Sequence, residues 1–167
     1  GLPGLHLQCT LWGENAVNVS GVDGERDFTQ KDVTAQLGFD SGTHYQYVHF
    51  ADIKRPYAEI MPDVAAEWAR IDREYSIPFF PHISVGWDNN PRFRQTLDYL
   101  TTGNTPQEIR RACAMAKKYI DEHPDLPPLI TVNSWNEWTE TSYLQPDTLY
   151  GYGYLEAFRD VFMKDLE

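Results

Sequence analysis

The chain has 167 residues, 41% hydrophobic and 23% charged, with 14 basic against 25 acidic side chains and a net charge of −11. That length suits one domain with a real core. The acidic balance argues against nucleic acid or an anionic membrane surface as the main partner, and no apolar run approaches the roughly 20 residues of a membrane span.

The chain opens on Gly1-Leu2-Pro3, with neither an initiator Met nor a signal peptide, as a fragment of a longer protein would; localisation therefore stays open. A first strand is expected over Leu5–Trp12 from its length and alternation. The Gly- and Asp-rich stretch 18–25 reads as a loop. Thr29 can cap a short helix over Gln30–Leu37, with Gly38 where a C′ glycine belongs. Gly42–Val48, aromatic and β-branched, is a second strand or strand end.

Tyr57–Tyr75 carries the stripe Ile60, Val64, Ala65, Trp68 and Ile71 of an amphipathic helix, with Pro62 assigned to its first turn. Ile77–Val85 is a third strand. Thr105-Pro106-Gln107-Glu108 opens a helix running to about His123, apolar at Ile109, Cys113, Ala116 and Ile120. Leu129–Val132 is a fourth strand, apolar enough to be buried on both faces. A last helix is expected near Tyr154–Leu166, apolar at Leu155, Phe158, Val161 and Phe162.

The fold class is thus α/β, as four βα units in a row. Parallel strands need long crossovers, so the alternation implies a parallel sheet. Four units make either a small open sheet or half of an eight-unit barrel, which normally needs about 250 residues. A half barrel leaves two sheet edges and an inner face without partners, so it would associate with a second copy or with a missing N-terminal half.

In such folds the loops after the strands carry function. Here they hold Trp12 and Glu14; His44 and Tyr45, with His49 close behind; Trp87, Asp88 and Arg92; then Trp135, Asn136, Glu137, Trp138, Glu140 and Tyr143. Glu137 and Glu140, bracketed by tryptophans and an asparagine, fit glycosidic chemistry. One carboxylic acid protonates the leaving oxygen while a second carboxylate works on the sugar side. Tryptophans beside them can desolvate a carboxyl and stack on a sugar face. The plainer reading makes Trp135 and Trp138 core residues and the glutamates a solvated loop. Asp88 is either a sugar contact or part of an Asp-Asn-Asn-Pro turn, and Arg92 can orient a carboxylate such as Asp88 or Glu137.

Other chemistries find less support. Cys9 and Cys113 read as two buried free thiols rather than a disulfide or zinc site. His49 and Asp52 have no further ligands at metal spacing, so no metal is expected. Asn18-Val19-Ser20 has the form of a glycosylation sequon but reads as plain loop. Gly151-Tyr152-Gly153 lacks the third glycine of a dinucleotide fingerprint, and no nucleophile elbow or phosphate loop occurs; no cofactor is expected.

The run Asn133–Asp147, followed by Gly151–Leu155, resembles the WbsX family, glycoside hydrolase family 99-like proteins found with bacterial polysaccharide loci. Leu37–Tyr45 and Gly86–Arg92 agree in the same order, and Asn-Glu-Trp-x-Glu is the most specific element. The resemblance implies a (β/α)8 barrel of which these units form the C-terminal half, and an oligosaccharide or polysaccharide substrate. It also implies roles. Glu137 takes the proton of a sugar 2-hydroxyl that attacks the anomeric carbon, and Glu140 is the acid/base, giving retention through an anhydro-sugar. A sugar-transferring role in polysaccharide synthesis, or glycan binding without turnover, are the alternatives. Two positions depart from the family pattern: Thr141 replaces a usual Gly, and Gln145 a common Glu. A β-branched Thr141 is expected to resist a positive φ and reshape the loop. Gln145 removes a charge, which bears on the sugar read.

Overall fold

The computed structural model describes residues 4–13, 17–19 and 26–163. Strand β1 (Gln8–Leu11) pairs in parallel with β4 (Ser41–His44), Gln8 opposite Ser41 and Leu11 opposite His44. Strands β5 (His82–Ser84) and β6 (Thr131–Asn133) form a second parallel pair, His82 opposite Thr131. A single parallel bridge, Gly42 to Phe79, joins the two pairs. Above that bridge β4 and β5 part, and tyrosines fill the gap: Tyr47 donates its hydroxyl to the His82 carbonyl at 3.1 Å and Tyr57 to the Ser84 carbonyl at 2.7 Å.

The strands are shorter than the sequence suggests. The second ends at His44, and Tyr47–His49 is a 3-10 turn. Asn18 and Val19, read as loop, belong instead to a small antiparallel pair, β2 (Val17–Val19) with β3 (Arg26–Phe28); residues 20–25 lie outside the described residues. The fourth strand is not buried on both faces. Leu129, outside the strand proper, is exposed and Val132 is half-buried; β6 has a strand neighbour only on its β5 side among the described residues.

Helix α1 (Gln30–Leu37) starts on a reciprocal capping box between Thr29 and Asp32 and ends on Gly38 at φ 68°. Helix α2 (Tyr57–Glu74) buries Tyr57, Ile60, Val64, Trp68 and Ile71, whereas Ala65 faces solvent. Pro62 lies inside this helix rather than in its first turn, at the cost of one ladder bond on the exposed side. Helix α3 (Pro106–Glu122) begins with the Thr105 hydroxyl accepting from Glu108 N, and its buried face ends on Tyr119 rather than Ile120. Helix α4 (Gly153–Phe162) buries Tyr154 and Ala157; its expected apolar positions are half-buried, and Leu166 lies outside the described residues.

Side chains alternate across β5. Phe79, Ile83 and Val85 join the helical core of Ile60, Val64, Trp68, Ile109 and Ala116. Each large aliphatic group buried there contributes about 1.5–3 kcal/mol. The other face is polar: Thr131 Oγ1 lies 2.6 Å from Thr43 Oγ1 and 2.8 Å from His82 Nδ1. Cys113 is buried in the core, but Cys9 is only half-buried.

Candidate active site

The loop after β6 folds back on itself as a short hairpin, β7 (Asn136–Glu137) with β8 (Ser142–Tyr143), around a 3-10 turn over Trp138–Glu140. Ser134 fastens both strands of this hairpin: its hydroxyl donates to the Ser142 carbonyl at 2.9 Å and accepts from Glu137 N at 3.1 Å. The turn closes on Thr141 at φ 51°. This overturns the expectation that a β-branched residue there resists a positive φ. Thr141 N donates to the Trp138 carbonyl, and its hydroxyl reaches the Asp88 carbonyl at 3.4 Å.

Loop β5–α3 meets that hairpin. Asp88 N donates to the Glu140 carbonyl at 2.7 Å, and Gly86 lies so close that a Cβ there would stand 2.6 Å from the Thr141 oxygen. Asn89–Arg92 makes a tight turn in which Asp88 Oδ1 accepts from both the backbone and side-chain nitrogens of Asn90. Asp88 takes part in that turn, and its Oδ1 braces the backbone that carries Arg92.

Arg92 binds both glutamates at once. Its Nη1 is 2.9 Å from Glu140 Oε1, its Nη2 3.3 Å from Glu137 Oε1, and its Nε donates to Thr139 Oγ1 at 3.0 Å. The two carboxylates differ in setting. Glu140 is buried, and the Tyr45 hydroxyl donates to its Oε2 at 3.4 Å. Glu137 is open to solvent and accepts from the Thr139 hydroxyl. That bond holds the Glu137 carboxyl below its ordinary value against desolvation, with Arg92 adding to the effect. Tyr45 is pushed up, chiefly by burial, with a hydrogen bond from Asn133 opposing and the two glutamates adding to the rise.

Aromatic rings flank the acids. Trp12, half exposed, stacks on His49 at 4.1 Å, and His49 approaches both Tyr45 (6.0 Å) and Trp87 (6.3 Å). In the acid loop Trp138 stacks on Tyr143 at 3.8 Å and donates its indole N–H to Gln145 Oε1 at 2.7 Å; Tyr143 in turn donates to Asp147. Gln145 thus orients a tryptophan. Trp135 and Trp138 are both substantially exposed, which rules out the core reading of the pair.

The structure therefore gathers Tyr45, Arg92, Glu137 and Glu140, with Trp12 and Trp87 reached through His49. Asn136 is exposed and contributes backbone pairing to Tyr143, and Trp135 stands outward with its carbonyl accepting from Leu144 and Gln145. Glu14 lies outside the described residues. His44 is buried against Phe50 and Phe79 with Nδ1 on the Leu11 carbonyl, so it belongs to the core. Sequence reading missed Thr139, although its place between the two glutamates was a signal. Among the described residues, no three or more His, Cys, Asp or Glu side chains gather as a metal cage, and no helix is long and apolar enough to cross a membrane.

Residues 2–158 match the family described as "Glycosyltransferase WbsX". The chain belongs to the WbsX family. This WbsX-family chain is 30% identical over 93 residues to "Uncharacterized protein WxcX" of Xanthomonas campestris pv. campestris, in two strains. That match covers 55% of the chain but 13% of the relative, so the chain spans a small part of the curated relatives it matches. Among solved structures, it resembles a "Glycoside hydrolase-like protein" at TM-score 0.53 and 17% identity, covering 74% of this chain and 38% of that one. A GH99 endo-alpha-mannosidase from Bacteroides thetaiotaomicron aligns at TM-score 0.49 and 14% identity, covering 80% of this chain and 39% of that one. The first likeness is one of fold, and it agrees with the α/β architecture. WbsX membership makes this a carbohydrate-active family.

Proposed function

We propose that this WbsX-family chain forms the C-terminal half of a (β/α)8 barrel that cleaves α-glycosidic bonds in a polysaccharide with retention. The observation that carries the reading is the pairing of Glu137 and Glu140 on one guanidinium, between exposed aromatic rings at the head of a parallel sheet.

The unequal settings of the two acids support distinct roles. Glu137 is solvent-accessible and held in its ionised form by Thr139 and Arg92, as a base needs to be. It takes the proton of the sugar 2-hydroxyl as that oxygen attacks the anomeric carbon, forming an anhydro-sugar. Glu140, enclosed beside Tyr45, gives a proton to the leaving oxygen. It then takes one from the water that opens the anhydro ring, while Glu137 returns its proton to the 2-oxygen. Two displacements at one carbon give net retention. Trp12, Tyr45, Trp87, Trp135, Trp138 and Tyr143 supply apolar faces for the sugar rings, and Asn136 and Asp88 polar edges.

The test is turnover of α-linked oligosaccharides by the whole protein and by its Glu140→Gln variant. The reading expects a loss of at least about a hundredfold, within the range that general acid–base catalysis contributes. Unchanged turnover overturns it. The family's description as glycosyltransferases supports a second reading, sugar transfer, for which a requirement for a nucleotide-sugar donor is the deciding result. Saturable sugar binding with no product points instead to a binding module.

A further inference from the structure

Thr139 stands between the two glutamates in sequence and meets the acid site through one atom. Its Oγ1 accepts from Arg92 Nε at 3.0 Å, and its hydroxyl donates to Glu137 Oε1. Arg92 Nη2 reaches that same Glu137 oxygen at 3.3 Å, while Nη1 lies 2.9 Å from Glu140 Oε1. One edge of the guanidinium, the hydroxyl and the carboxylate oxygen thus close a ring of hydrogen bonds.

The polarity of that ring is fixed by what each group can do. A guanidinium only donates and an ionised carboxylate only accepts, so the hydroxyl between them has a single arrangement. It receives from Nε and gives its proton to Oε1. Two donors therefore fill Oε1. Glu137 Oε2 has no hydrogen-bond partner among the described residues, and it is the oxygen left to take a proton.

We propose that Thr139 is a positioning residue: with Arg92 it anchors Glu137 by Oε1 and keeps Oε2 as the atom that receives the proton of the sugar 2-hydroxyl. This rests on Glu137 being the base of the proposed reaction. The 2-oxygen bonds to the anomeric carbon as the bond to the leaving oxygen breaks; its proton passes to Oε2, and the leaving oxygen takes the proton of Glu140. Protonation at Oε2 keeps both anchoring bonds, because the unprotonated oxygen of a carboxylic acid still accepts. Without the anchor, the carboxylate turns about a terminal torsion whose profile is broad and roughly two-fold.

Glu137 is faced by Arg92 from the loop after β5, by Glu140 across the guanidinium and, at longer range, by Tyr45 from the end of β4. Its carboxyl sits below the ordinary value, the Thr139 hydrogen bond being the first cause. Losing that donor disfavours the ionised form, so the midpoint rises. Thr139 is exposed and Glu137 is open to solvent, so water replaces part of the lost bond and the kinetic effect is modest.

The experiment is an NMR titration of the intact protein with 13C-labelled glutamate carboxyls, Glu137 being assigned by the signal missing in Glu137→Gln. Thr139→Val keeps the branched shape without the hydroxyl and raises the Glu137 midpoint; Thr139→Ser keeps the hydroxyl and leaves the midpoint in place. With an α-linked oligosaccharide, Thr139→Val lowers kcat about three- to tenfold at pH values where Glu137 is ionised, the equivalent of one hydrogen bond. KM holds, and Thr139→Ser restores the rate. A residue that only tuned ionisation would move the acid limb of the pH profile and leave that plateau alone. An unmoved Glu137 midpoint in Thr139→Val, or an unmoved plateau, overturns the proposal, and Thr139→Ala decides it if Thr139→Val does not fold. The titration needs no substrate, so normal turnover by Glu140→Gln remains a separate result that overturns the glycosidase reading alone.

Discussion

The Arg92 guanidinium lies 2.9 Å from the Glu140 carboxylate, and of the two groups only Glu140 is sealed from water, its side chain 6% exposed against 43% for Arg92. Arg92 is thus the lid on a buried charge as well as the link to Glu137. Replacing it by Gln leaves the buried Glu140 carboxyl short of its cation. Breaking a fully buried pair costs roughly 3–5 kcal/mol, and with Arg92 half exposed the expected loss is about 2 kcal/mol at neutral pH. The Glu137 carboxyl sits below its ordinary value of 4.5, so stabilisation from ionised Glu137 is present above that pH and lost as pH falls through the lowered value. Denaturant unfolding of wild type and Arg92→Gln should therefore differ most near pH 7 and converge in acid.

His82 is buried beside Thr131, and desolvation carries its pKa down to about 3 from an ordinary 6.5. The folded chain keeps this ring neutral while the unfolded chain protonates it. Its contribution is therefore present above pH 6.5 and is lost as pH falls toward about 3. The expected slope is about 1.4 kcal/mol per pH unit for one proton. His82→Asn should remove one proton's worth of slope from a stability curve measured over that window; an unchanged slope contradicts the assignment.

Gly86 leaves no room for a side chain. A Cβ would meet the Thr141 carbonyl oxygen at 2.6 Å and the Asn104 amide nitrogen at 2.8 Å, and the first is backbone that can yield only by moving the acid loop. Gly86→Ala is expected to destabilise by about 1–3 kcal/mol, the usual range for overpacking. Thermal unfolding measures this, and loss of turnover exceeding that of surface Ala substitutions would show the loop displaced.

Thr141 offers the opposite test. Its left-handed conformation is one that a β-branched residue adopts at some strain. Thr141→Gly removes the strain and forgoes only the long contact to Asp88, against some extra freedom in the unfolded chain. A gain of about 0.5 kcal/mol is expected by denaturant titration.

Edges matter too. Strand β1 pairs only with β4, and β6 only with β5, among the described residues. We expect the chain alone to self-associate through these edges. Sedimentation of a dilute, stable monomer would favour a self-sufficient open sheet instead.

Much of this was legible in the chain. The stripes of α2 and α3, the Thr105 and Thr29 caps and the Gly38 terminator are local signals; the caps and terminator fall where capping chemistry puts them, and the stripes hold apart from Ala65 and Ile120. Strand ends were not legible, because Val48 and Tyr47 look extended by composition while Tyr47 is needed to fill the gap between β4 and β5. The half-burial of β6 was hidden for a similar reason: apolarity records what a strand can bury, not how many neighbours it has. At the site, the pair Glu137 and Glu140 and the exposed tryptophans around it could be picked out by spacing. Glu137 was one of the two carboxylates named for Arg92, but the second bond to Glu140 was not legible, since it depends on the turn between the two acids. Gln46 was invisible between two tyrosines, where nothing marks an amide as buried.

The hydrogen bonds from Asp88 to Glu140 and from Thr141 back to Asp88 stitch the loop after β5 to the loop after β6. Arg92 and its two partners therefore ride on a single joined frame, and lengthening either loop would drag all three charges out of alignment together. Such a frame leaves little scope for retuning the acids themselves. The stacked rings of Trp12 and His49 lie on the far side of Tyr45, outside that frame, so changes there can leave the carboxylates where they are.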